Sequence, residues 1–524
     1  MRKPAPPSVA APVPSPAIPT PAASAGTGTG QPGANAAKPG PAALARKSRV
    51  GKMVKPDKKA PAAFEPGPPE APPPAPPPPF DAQAVAEKLD LWRLDGSKGQ
   101  HLRLSKDDEY IDLSGDDFTR LMKRNGVRTK PADGEVLSDA DQLKDCLQES
   151  RRVDFAMVNL AGFKRGIYRI SGAVLMVKKS PRLITPKAGE WSFIRALIER
   201  MLATEAGAAT LSQVTLFHAW MKACINPERK SGLALILAGP RDCGKSVLQH
   251  LIITPLLGGR NADPGPHMFG DTDFNAELFG SEHLQMEDPA PKNKFSKEAF
   301  AEKIKGIVAN NTQRFHPKGR DAVTLAPKWH LSISVNDDPE TMKIIPEFRE
   351  DVADKLLLLR VQRPQDGDGF ALPADHERGA FRERIALELP AYAAFLEAME
   401  VPEAYHGKRF GVKAWQNPTL ATRLFDDSPT GRLLALIDGC SLWDKEIRAG
   451  LDKGCGTFAE LRTELEVDIT YGDEAKGLFK FYRIEHLLGK LLSAHPDRIE
   501  HPRLTSGPHK GSYLWKILPR DAGG

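Results

Sequence analysis

Apolar positions fall into two patterns along this chain. One is the short continuous run. Leu233-Ala234-Leu235-Ile236-Leu237-Ala238 is wholly apolar, as expected of a parallel strand buried on both faces. Trp329–Asn336 is a second strand-like run ending in a polar residue, and His283–Asp288 is a shorter, partly apolar one ending in two carboxylates. The other pattern has helical spacing. Trp191, Ile194, Leu197, Ile198 and Met201 mark a helix over Trp191–Leu202. Ala82–Leu89, Leu211–Cys224 and Phe381–Met399 read the same way, the last within a helical stretch over 370–425. Lys164–Val177 reads as two strands around the turn Ser171-Gly172.

Near the C-terminus, helix patterns at Gly431–Gly439, Thr457–Leu465 and Tyr482–Ser493 precede two strand-like runs, Arg498–Leu504 and Ser512–Leu518. Helices followed by a hairpin predict a winged helix over 426–520. Its third helix would enter a DNA major groove and its wing would touch backbone. Lys480, Arg483, His486 and Lys490 would serve the helix, and Arg503, His509 and Lys510 the wing. Winged helices also mediate protein contacts, so both uses stay open.

Residues 1–80 break every pattern. They hold 23 of the 47 prolines, and Ala, Gly and Ser make up most of the rest. Such a segment cannot bury enough apolar surface to offset its ordering entropy, so disorder is expected. It also holds ten Lys/Arg against three acids, more than the whole chain's net charge of +6. The remainder is therefore slightly acidic, and any basic groove there must come from local clustering. The cluster Arg46–Lys59 reads either as a solubilising tail or as a non-specific tether to DNA phosphates.

The organisation expected is thus a tail (1–80), a small α+β domain (81–205), a core (206–425) and the winged helix (426–520). Asp107-Asp108 and Asp116-Asp117 in the second of these read as surface acids. Five widely spaced cysteines form no CxxC pair, which excludes the common zinc and redox motifs and fits reduced cytoplasmic thiols. No apolar run of about 18 residues predicts a membrane span.

The chemistry lies in the core. The run Leu233–Ala238 leads directly into Gly239-Pro240-Arg241-Asp242-Cys243-Gly244-Lys245-Ser246, and helix-compatible residues follow until Gly258-Gly259. Strand, GxxxxGKS and helix together are the context a phosphate-binding loop needs. Glycines let successive N–H groups turn inward toward phosphate oxygens, and the helix N-terminus adds positive partial charge. Lys245 would reach the β- and γ-phosphates of ATP, and Ser246 would place its hydroxyl on Mg²⁺.

Such a loop needs an acid on a neighbouring strand. Glu287 and Asp288 offer two. One would hold Mg²⁺ and the other would orient the attacking water; the sequence leaves open which does which. Asn336 would sense the γ-phosphate or position water, or would merely open the turn Asn336-Asp337-Asp338-Pro339. Arg314-Phe315-His316-Pro317-Lys318-Gly319-Arg320 suits a hairpin tip that presents Arg314, His316, Lys318 and Arg320 to phosphates and Phe315 to a base, or else a solvated loop.

Taken in order, these motifs resemble the superfamily 3 helicases, a branch of the AAA+ ATPases of viruses, phages and plasmids. The likeness is narrower to the helicase-type domain attached to phage primase-polymerases, through Pro181–Gly189 and Arg409–Pro418. It covers about residues 160–430. It implies an α/β fold with an AAA+ P-loop NTPase core, flanked by the small N-terminal α+β domain and the winged helix. It further implies a homo-oligomeric ring, usually a hexamer, with ATP between subunits and an arginine from the neighbour completing the site. Single-stranded or forked DNA would be the partner.

Two departures stand out. Where the family usually has that arginine, this chain has Asp354-Lys355; Arg349 is the nearest candidate, and Lys355 a weaker substitute because it lacks the planar fork. The accompanying primase-polymerase domain is missing, so a separate primase or polymerase is expected. Competing readings are an AAA+ loader acting on a protein partner and a nucleotide-dependent DNA-binding initiator with weak turnover.

Overall fold

The computed structural model describes residues 79–96, 100–203, 211–226, 232–289, 297–316, 322–346, 350–363, 377–503, 511 and 513–520. The tail expected over 1–80 lies almost wholly outside them, as do Pro317–Arg320, Arg349 and the wing residues His509 and Lys510.

A parallel sheet organises the core. Its strands are β1 (Ala234–Gly239), β2 (Asn261–Ala262), β3 (His283–Glu287), β4 (His330–Asn336), β5 (Leu356–Arg360) and β6 (Trp415–Gln416). They lie in the order β6-β5-β1-β4-β3-β2, and every neighbouring pair is parallel. Both faces are covered, which explains the unbroken apolar runs. Leu235, Leu237, Leu357 and Leu359 point into one core, shared with the helices α1 (Ser192–Met201), α2 (Gln213–Ile225) and α3 (Arg378–Ala398). Ala234, Ile236, Ala238, Leu356 and Leu358 point into the other, shared with the helix Lys297–Ala309 and with Leu175 and Val177. The strand pair around Ser171-Gly172 is present as Gly166–Ile170 and Ala173–Val177, with both turn residues at positive φ. So part of the segment expected to stand apart contributes side chains to the core.

The strand β3 is less apolar than its neighbours for a structural reason. The helix after the phosphate-loop sequence carries a π-helical stretch, Leu248–Ile253. Gln249 and Thr254 are buried there against the sheet. Thr254 Oγ1 lies 2.6 Å from His283 Nδ1, His283 Nε2 lies 2.7 Å from Ser332 Oγ, and Gln249 Nε2 donates to the same hydroxyl at 2.8 Å. These bonds offset most of the cost of burying the polar groups, leaving the Gln249 carboxamide oxygen without a partner.

Before the core, the strands Leu91–Leu94, His101–Leu104, Tyr110–Leu113 and Arg152–Val153 form a four-stranded sheet with the helices Gly115–Arg124 and Asp139–Ser150. Asp117 serves its helix start, bonded to Ser114 and Arg120. After the core come α4 (Pro429–Gly439), α5 (Phe458–Glu466), α6 (Gly472–Phe479) and α7 (Ile484–Ala494). An antiparallel sheet, ordered Cys455–Gly456, Trp515–Ile517, Ile499–Glu500, closes this region around its own core. Among the described residues no helix is long and apolar enough to cross a membrane.

Burial pushes His283 down to about 3 and His330 down to about 4. The unfolded chain binds protons at these positions near pH 6.5, while the folded chain refuses them. Their contribution is thus fully present above about pH 6.5 and is lost as pH falls toward the folded values. Between pH 7 and 5 the loss is about 2 kcal/mol per histidine. The melting temperature falls over that range; a flat or rising one contradicts this account.

Candidate functional site

Parallel register assembles the site. Asn336 at the end of β4 pairs with Gly239 at the end of β1, and Glu287 at the end of β3 pairs with Ser334. The loop, the acids and the asparagine therefore share the carboxyl edge of the sheet, where open α/β sheets bind ligands. A cleft of about 1240 Å³ opens there.

The loop holds a conformation its sequence requires. Asp242 and Gly244 have φ of 57° and 92°. At Gly239 a Cβ would sit 2.2 Å from the Val361 carbonyl oxygen, so no side chain fits. Lys245 is buried. Its ammonium donates to the Gly239 and Pro240 carbonyls, both at 2.8 Å, and to Asn336 Oδ1 at 3.1 Å. Asn336 thus contacts the loop lysine directly and does more than open a turn. Cys243, within the loop, is buried, and burial pushes its thiol up.

Ser246 Oγ donates to Glu287 Oε2 at 3.0 Å. Its other carboxylate oxygen meets Gln285 Nε2 and His250 Nε2. Asp288 lines the cleft and has a φ of 37°, a strained conformation of the kind that collects at functional sites. The Ser246 hydroxyl against the Glu287 carboxylate, with Asp288 lining the same cleft, supplies hard oxygen donors of the kind a Mg²⁺ ion takes.

The other expected residues fare differently. Arg314 and Phe315 lie on the strand Gln313–Phe315, which pairs with Val323–Leu325 as an antiparallel hairpin. Arg314 is exposed. Phe315 is only 2% exposed and packs edge-on against Phe155 and Phe279, so it cannot stack on a base. The accessible aromatic beside the hairpin is Phe274, 5.4 Å from the His316 ring. The backbone N–H of His316 donates to Asn275 Oδ1 at 2.8 Å, and Asn275 Nδ2 donates to the Arg314 carbonyl at 2.8 Å, which clamps the hairpin base. Lys318 and Arg320 lie outside the described residues.

Lys355 precedes β5, at the sheet edge opposite the loop. It is buried, and its ammonium is held by Asp354 at 2.5 Å and the Asp351 carbonyl at 2.8 Å. It is therefore not an exposed finger. At the same end Arg409 keeps half its side chain in solvent, 3.8 Å from Asp354. Arg349 lies outside the described residues.

Residues 237–351 match a family of unknown function, DUF5906. No curated protein matches the chain. An apo structure of the NrS-1 C-terminal region is similar over 83% of this chain and 98% of that chain, with 10% identity and a TM-score of 0.50. A crystal structure of JCV helicase aligns over 46% of this chain and 59% of that one, at 13% identity and a TM-score of 0.25. The first likeness establishes a shared α/β fold; the second is too loose to fix one.

Sequence reasoning missed several cleft residues. His250 lines the cleft and, with the buried Gln285 behind it, meets Glu287, while α3 brings Arg378, Phe381 and Arg382 to the cleft. Arg378 and Arg382 are one helical turn apart on one face, a spacing legible in the sequence; their proximity to the loop was not.

Gly239→Ala forces its methyl into the Val361 carbonyl. The variant loses more than about 2 kcal/mol of stability, read from urea denaturation. Wild-type stability would mean the loop has room for a side chain.

Proposed function

We propose that this protein is an ATPase of the AAA+ type that works on DNA as a helicase or translocase. The observation that carries this reading is the pair of contacts, Lys245 with Asn336 and Ser246 with Glu287, at one strand edge. The strand order β5-β1-β4-β3-β2 is that of the AAA+ core, which supports the sequence resemblance.

In this reading the loop amides and Lys245 bind the β- and γ-phosphates of ATP. Lys245 exchanges its carbonyl partners for phosphate oxygens while Asn336 keeps it aimed. Ser246 and Glu287 would hold Mg²⁺, which when bound neutralises charge developing on the phosphates. Asp288, on its strained backbone, orients the attacking water. Arg382 and Phe381 close on the nucleotide from α3.

A ring of subunits would complete each site with a neighbour's cation. Among the described residues, Arg409 is an accessible cation at the edge away from the loop; Arg349 remains the candidate from the sequence. The hairpin carrying Arg314 would contact the phosphates of one DNA strand, and Lys318 and Arg320, which lie outside the described residues, would add to that charge in the sequence reading. With Phe315 buried, the described part of the hairpin offers a charge and not an aromatic hook, which favours DNA over a polypeptide. The element order α4, strand, α5-α6, α7, strand, strand, with one helix more than the sequence reading expected, supports a winged-helix reading, and such a domain would dock on DNA beside the ring.

Hydrolysis of ATP should rise at least severalfold with single-stranded DNA, and a forked duplex should be opened. Asp288→Asn should bind ATP yet lose about 100-fold or more in turnover, and Arg314→Ala should lose DNA stimulation while keeping basal turnover. Normal hydrolysis that ignores DNA would remove the translocase reading. Absence of hydrolysis with intact DNA binding would leave the initiator.

A further inference from the structure

Apolar side chains scattered singly over a surface are ordinary, but adjacent large aromatics held in solvent are not. Between α6 and α7 the chain reads Phe479-Lys480-Phe481-Tyr482-Arg483-Ile484. Phe479 and Ile484 are buried and anchor the turn at both ends. The four residues between them are all exposed; Phe481 keeps 76% of its surface in water and Tyr482 keeps 46%. The turn is ordered by its backbone, because the N–H groups of Phe481 and Tyr482 both donate to the Leu478 carbonyl, at 3.2 and 3.1 Å. The aromatics are therefore presented on a fixed support.

Their surroundings are cationic. Lys480 Nζ lies 5.7 Å from the Phe481 ring centre, over its face. Arg483 is largely exposed and paired only locally, with Glu485. Arg462 on α5 lies over Phe479, and its charge reaches Glu485, so a third cation borders the turn. His486 is exposed one residue further on. An apolar protein partner would have to bury the Lys480 charge without compensation and desolvate the Arg483 pair as well, which is costly. A nucleic acid strand supplies both complements at once: phosphates for Lys480 and Arg483, and a π-face for each ring. The faces of bases inside a duplex are already stacked, so the bases must be unpaired.

We propose that Phe481 and Tyr482 form a stacking platform for unpaired bases of single-stranded DNA, flanked by Lys480 and Arg483 as phosphate contacts. This surface lies in the C-terminal region, apart from the nucleotide cleft. It deepens the DNA-binding part of the proposed function and does not depend on ATP hydrolysis. Arg483 exchanges Glu485 for phosphate on binding, and the rings need not move.

The test uses the full chain without nucleotide and a fluorescein-labelled dT20 strand, followed by anisotropy across a salt series, with a blunt duplex of the same length beside it. The double variant Phe481→Ala/Tyr482→Ala should weaken dT20 binding by about tenfold or more, with little change for the duplex and no change in salt slope. Lys480→Ala/Arg483→Ala should instead lower the salt slope. Phe481→Trp should retain binding, which separates loss of stacking from loss of folding. Ultraviolet crosslinking of a 5-bromodeoxyuridine strand should map to Phe481 or Tyr482 in the wild-type chain. Unchanged dT20 affinity in the aromatic double variant, an equal loss on duplex and single strand, or crosslinks confined to the hairpin around Arg314 each overturn the proposal. Because no nucleotide is present, a chain that failed as an ATPase could still pass this test.

Discussion

The site rests on strand register. With β4 set beside β1 so that Asn336 faces Gly239, the Asn336 carboxamide reaches the Lys245 ammonium at 3.1 Å. With β3 set so that Glu287 faces Ser334, the same edge carries the carboxylate that meets Ser246. A slip of one residue would turn every one of these side chains to the other face of the sheet. Burial on both faces forbids that slip, since Leu235 and Leu237 fill one core while Ile236 and Ala238 fill the other. The apolar packing and the chemistry are thus one constraint.

The buried polar network extends it. Gln249, Thr254, His283 and Ser332 tie the π-helical stretch to β3 and β4, and Gln285 with His250 carries the connection to Glu287. Here it fixes the acid from behind while the opposite oxygen faces Ser246. π-helical turns frequently mark functional sites, and this one widens the helix where these contacts form.

Much of this was legible in the sequence. The wholly apolar run before Gly239 could only be a buried strand, and the GxxxxGKS pattern fixed what followed. The turn at Ser171-Gly172 and the ends of β3 and β4 were readable from alternation and their polar last residues. Other features needed three dimensions. Phe315 looked available because a basic loop surrounds it, but strand alternation turns its ring inward against Phe155 and Phe279 while Arg314 points out. Lys355 looked free because sequence does not reveal that Asp354 and the Asp351 carbonyl enclose its ammonium. The helix α6 was missed because its short, Gly-flanked stretch has little periodicity. His250 and the arginines of α3 carry no motif at all; only packing brings them to the cleft.

The central claim is that the edge formed by Lys245, Ser246, Glu287 and Asn336 binds a magnesium-bound nucleoside triphosphate. Equilibrium binding of a fluorescent, non-hydrolysable ATP analogue, with and without Mg²⁺, tests it most directly. The account predicts binding that Mg²⁺ strengthens in the wild-type chain and that Lys245→Ala weakens by about tenfold or more. Affinity indifferent to both the metal and the lysine would contradict it.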